Sequence, residues 1–132
     1  EKAATDAAAM AKKMNDSLGE INNKIAVKKT ELQSLKDGNA AVDVINKAGG
    51  ALFDPVTRAD REVEAFLLEE LAQRFPEHRV FGEETGHGGG NGPLRWVIDP
   101  IDGTRAFVSG SPLWGIMVGL DEASKITLIS IG

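Results

Sequence analysis

At Pro76 the periodicity of this chain changes, and that change limits the folds open to it. Before Pro76 the apolar residues recur at helical spacing, and after it they fall into short runs bounded by Gly, Pro and Asp. Ala11, Met14, Leu18, Ile21, Ile25, Leu32 and Leu35 follow alternating steps of three and four, with Lys28 where the pattern expects an apolar residue. Such a heptad-like stripe predicts a long helix or a helical hairpin from Ala3 to Lys36. Met10 and Met14 fit the stripe and read as core. Gly19 is its weak point, since glycine inside a helix costs about 1 kcal/mol relative to alanine. Asp37-Gly38-Asn39 is a stop signal. After an apolar stretch from Ala41 to Ile45 and a loop at Lys47–Gly50, a second helix is predicted. Thr57 is its N-cap and Asp60, three residues on, approximates a capping box. Val63, Phe66, Leu67, Leu71 and Phe75 make one apolar face, and Pro76 ends the helix.

Beyond Pro76, strands are predicted at Arg79–Gly82, Arg95–Ile98, Leu113–Leu120 and Ile126–Ile131. His87–Gly92 reads as a glycine-rich loop, and Asp121–Lys125 as the turn of an antiparallel hairpin. The expected order is therefore helices followed by a mostly antiparallel sheet, with a boundary between a helical segment, 1–39, and the remainder, 40–132. The apolar run ITLISIG at the end calls for cover on both faces.

The 132 residues suffice for one compact domain with one core. A net charge of −5 argues against nucleic acid or an anionic membrane as partner, because both are normally met by basic patches. The lack of cysteine excludes disulfides, zinc–thiolate sites and thiol catalysis, and fits a cytoplasmic protein. No apolar run approaches the roughly 20 residues that span a bilayer. The start, EKAATDAAAMAKKM, is too polar for a secretory signal.

Three short motifs carry the chemistry. Asp99-Pro100-Ile101-Asp102-Gly103-Thr104 follows the predicted strand RWVI. A strand end that turns at Pro100 and Gly103 lets two carboxylates three residues apart converge. Hard divalent cations, magnesium among them, take such oxygen ligands. A helix starting at Gly103-Thr104 would offer N–H groups to a phosphate. The ordinary reading of the same residues is a surface turn. The second motif, Gly82-Glu83-Glu84-Thr85, reads alone as solvated surface. The third, Asp54-Pro55-Val56-Thr57 with Asp60, reads alone as helix capping. His78 reads as a surface residue, His87 as the opening of a mobile glycine-rich loop, and Arg105 as either a substrate contact or a salt-bridge partner.

In order and spacing, FDPVTRAD, FGEETG and WVIDPIDGTRAFVSGSPLWG resemble the successive signatures of the inositol monophosphatase family. The last continuation is most similar to its histidinol-phosphatase-like branch. The resemblance covers Asp43 to the C-terminus. It implies a layered α/β sugar-phosphatase fold, here in part, and Mg²⁺-dependent hydrolysis of a small phosphorylated metabolite such as histidinol phosphate or inositol phosphate. By resemblance, Glu83 ligates a first metal, Asp99 bridges two, Ile101 offers its carbonyl to the first, and Asp102 ligates the second. Thr104 with Asp60 orients and activates the attacking water, Gly103 and Thr104 give N–H groups to the phosphate, and Glu84 supports them. A metal in such a site acts as Lewis acid, generator of the nucleophile and template. Positioning and charge neutralisation of this kind supply most of the catalysis of phosphoryl transfer.

Two departures from the family pattern set the alternatives. The family's later half supplies a further aspartate and most substrate contacts, and this chain shows no counterpart. Its first 40 residues do not match the family's usual opening. One alternative is thus a catalytically incomplete fragment or chimaeric scaffold. Another is a homo-oligomer, self-associating through the helical stripe or completing its site across subunits.

Overall fold

A computed structural model describes residues 1–37, 44–46, 55–122 and 125–131. The boundary proposed near residue 39, the loop at 47–50 and Asp54 lie outside the described residues. The N-terminal stripe forms one unbroken helix, α1 (Lys2–Asp37), and not a hairpin. Gly19 lies within it on the exposed side. Two short antiparallel strands follow, β1 (Val44–Asn46) and β2 (Pro55–Thr57), and then α2 (Arg58–Arg74). The predicted capping box is present: Asp60 N–H donates to the Thr57 hydroxyl, and Thr57 N–H donates back to Asp60 Oδ2 at 2.7 Å.

The sheet holds five strands: β3 (Arg79–Gly82), β4 (Gly86–Gly89), β5 (Leu94–Asp102), β6 (Gly115–Glu122) and β7 (Lys125–Ile131), in the order β4-β3-β5-β6-β7. Among the described residues, β3 and β5 pair in parallel and the other neighbours in this sheet antiparallel. A short helix, α3 (Thr104–Ser109), connects β5 to β6. Val80, Trp96, Ile98, Ile116 and Val118 line one sheet face and are buried with Val63, Leu67 and Leu71 of α2 and with Ile21, Ile25 and Leu32 of α1. Of the stripe, Ile21, Ile25 and Leu32 are thus core of this chain, Met14 and Leu18 pack partly buried against them, and Ala11 is exposed. Among the described residues, no helix is long and apolar enough to cross a membrane.

Four expectations need correction. His87–Gly89 is strand, not loop, because backbone hydrogen bonds to β3 pair these residues without needing side chains. The turn expected at Pro100 is a continuation of β5, made possible by a bulge. Met10 is 58% exposed, since every residue from Glu1 to Lys13 projects beyond the core. His78 is half-buried, stacked on Phe75 with ring centroids 4.9 Å apart, and its Nδ1 accepts the Trp96 indole N–H at 3.0 Å.

Candidate functional site

Parallel pairing brings the first two acidic motifs together. Phe81 lies opposite Val97 and Gly82 opposite Ile98. Carrying that register onward places Glu83 beside Asp99, and Glu83 N–H donates to Ile98 O at 3.1 Å. Neighbouring parallel strands end on the same edge, where α/β proteins place their ligands. The Glu83 carboxyl stands close enough to that of Asp99 to act on it by charge and by hydrogen bonding.

The third acid reaches this edge through a bulge. Side chains three apart on a regular strand face opposite ways. Here Asp99 pairs with Met117 and Asp102 with Gly115, so three steps on β5 match two on β6. The extra residue reverses the alternation and returns Asp102 to the Asp99 side. Burial records the reversal: Trp96, Ile98 and Pro100 alternate, and then Ile101 is buried next to Pro100. Pro100 suits this break because it has no N–H to contribute to a ladder.

The chain then turns into α3 through Gly103, whose φ is 84°. A Cβ there would stand 2.9 Å from Leu113 O, so glycine is required by conformation and by space. The turn carries Thr104 back under the strand end. Its hydroxyl lies 2.9 Å from Ile101 O and 3.3 Å from Asp60 Oδ1. Asp60 is buried at the start of α2, its Oδ2 held by the Thr57 N–H and hydroxyl. One capping box thus fixes both the helix start and the Asp60–Thr104 pair. Asp102 is exposed at the rim, and Glu84 is half-buried with its N–H directed inward.

The electrostatics are those of crowded like charges. Burial first, then the charge and hydrogen bond of Glu83 and the charges of Asp102 and Asp60, push the Asp99 carboxyl up to about 7. Burial also raises Asp60, against the lowering effect of its bonds to Thr57 and Thr104. Asp99 Oδ1 is buried without a hydrogen-bond partner among the described residues. Among those residues, no three His, Cys, Asp or Glu side chains are grouped as a ready cage for a metal ion. An orphaned buried carboxylate oxygen amid three further acids nevertheless fits a hard divalent cation, which takes oxygen ligands and cancels their repulsion.

None of the three acidic motifs contains Glu64. It is fully buried on α2 and accepts N–H groups from Glu84 at 2.9 Å and Thr85 at 2.8 Å, together with the Thr85 hydroxyl. The available signal is its place in the apolar stripe: Glu64 stands beside Val63, one turn before Leu67 and two before Leu71, where helical spacing calls for an apolar side chain.

The model of the inositol monophosphatase family matches residues 3–131, a span that includes α1. The chain belongs to that family. A histidinol-phosphatase of Chlorobaculum parvum is 41% identical over 99 residues, 70% of this chain and 38% of its own. The crystal structure of the extragenic suppressor protein SuhB from Bartonella henselae matches with a TM-score of 0.64 at 26% identity, over 89% of this chain and 42% of its own. An IMPase/NADP phosphatase crystallised with Mg²⁺ and phosphate matches with a TM-score of 0.60 at 25% identity, over 89% of this chain and 41% of its own. The chain therefore spans less than half the length of these relatives.

Proposed function

We propose that this chain supplies the metal- and phosphate-binding part of a Mg²⁺-dependent phosphatase acting on small phosphate monoesters of the histidinol phosphate or inositol phosphate type. The observation that carries the reading is the Glu83–Asp99 pair, with its orphaned Asp99 Oδ1, set beside the Asp60–Thr104 pair. Family membership and the Mg²⁺ and phosphate held by one structural relative support it.

Glu83, Asp99, Asp102 and the Ile101 carbonyl would hold the cation. Mg²⁺, when bound, supplies Lewis-acid neutralisation of the phosphate charge. The Thr104 hydroxyl has one proton to donate, and directing it to Asp60 Oδ1 frees an oxygen lone pair to accept a proton of the attacking water. Burial keeps Asp60 more basic than an ordinary aspartate, which suits a proton acceptor. The N–H groups of Gly103 and Thr104, in the first turn of α3 where intrahelical partners are lacking, would hold phosphate oxygens. Glu84 extends the turn that carries Glu83.

The test is phosphate release from a panel of small monoesters, with Mg²⁺ and with chelator. Metal-dependent release, lost in Asp99→Asn, is the expected result. No release from folded protein that binds Mg²⁺ would favour the incomplete scaffold over the phosphatase.

A further inference from the structure

Glu64 is a carboxylate placed where the helical pattern calls for an apolar residue, and it is 0% exposed. A buried carboxylate is costly unless its oxygens are hydrogen-bonded. Its partners here are two consecutive backbone N–H groups, of Glu84 and Thr85, and the Thr85 hydroxyl. The residue just before them is Glu83, whose own N–H is taken by Ile98 O. The backbone around Glu83 is thus held from both sides: to β5 through its own amide, and to α2 through the next two. Gly82 completes the arrangement, since a Cβ there would run into Glu64 Oε1. The carboxylate approaches the turn so closely that only glycine fits between.

We propose that Glu64 is a positioning residue for metal binding, fixing the turn from which Glu83 reaches Asp99. The inference rests on the reading of Glu83 as a metal ligand. Carboxylate is the required chemistry: all three partners donate, and glutamine would turn an NH₂ against one of them. Groups that orient a ligand change metal affinity by roughly 10- to 100-fold when removed.

The experiment is calorimetric titration of the full chain with Mg²⁺ alone, comparing wild type, Glu64→Gln, Glu83→Ala and the double variant. Glu64→Gln is expected to weaken Mg²⁺ binding about 10-fold or more. In the Glu83→Ala background it is expected to add less than about twofold, since a residue acting through Glu83 has nothing left to position. Amide exchange at Glu84 and Thr85 is expected to speed up in Glu64→Gln. Should that variant fail to fold, Thr85→Ala removes a single bond from an exposed residue and is expected to weaken binding about threefold. Wild-type affinity in folded Glu64→Gln, or in Thr85→Ala where it stands in, overturns the proposal, as does an equal loss with and without Glu83. A loss in Glu83→Ala with none in Glu64→Gln overturns only the role of Glu64. Unchanged affinity in Glu83→Ala overturns the ligand reading and this inference together.

Discussion

The two ends of β3 and β5 are built from the same pairing and are opposite in character. At the end where the strands begin, Phe75, His78 and Trp96 stack within 4.9–6.0 Å, and the indole N–H is satisfied by His78. At the end where they finish, Glu83, Asp99, Asp102 and Asp60 crowd together and one buried oxygen has no hydrogen-bond partner among the described residues. The first end satisfies the indole it buries, while the second holds like charges that repel one another. Local instability of this kind at one edge, over a well-packed base, is how a fold supports a site that binds charge.

Substitutions at the two ends should therefore act with opposite sign. Trp96→Ala removes a fully buried aromatic and should destabilise the protein by about 3–5 kcal/mol in urea unfolding. Asp99→Asn should instead stabilise the metal-free protein at pH 8, by about 1 kcal/mol. A loss of stability there would show that the acidic end is not strained.

The pH dependence separates the ends further. The Asp99 carboxyl is raised to about 7 in the folded state against an ordinary value near 4, so the folded state binds its proton more tightly. This contribution is fully present below pH about 4 and is lost as pH rises toward about 7. The gain from Asp99→Asn should accordingly shrink toward pH 4. His78 behaves conversely. Burial, the leading cause, lowers it below its usual value, so its contribution is complete above pH about 6.5 and is lost as pH falls through the folded value. Unfolding curves of His78→Gln should lack that acid-side loss, and an unchanged slope would remove His78 from the account.

The smallest effect is expected away from both ends. Lys24 and Arg74 join α1 to α2 through Glu70 and Glu20. Lys24 is nearly half exposed, so Lys24→Ala should cost under about 1 kcal/mol, and less in high salt.

Much of this was legible in the sequence because local rules agreed with the fold. The α2 cap and apolar face, the limits of β3 and the acidic motifs all follow from spacing over a few residues. The bulge in β5 was not legible, because Asp, Pro and Gly signal turns and only the pairing with β6 keeps the strand going. The burial of His78 is hidden for a related reason. Its position after Pro76 suggests surface, while the partner that buries it, Trp96, lies 18 residues away. Glu64 stands among other glutamates on a charged helix, and only its position in the stripe marks it.

The central claim is that the acidic edge binds a hard divalent cation through Asp99, and calorimetric titration of wild type and Asp99→Asn with Mg²⁺ tests it most directly. Binding to the wild type that disappears in the folded variant is the predicted result, and equal affinity in the two proteins would contradict it.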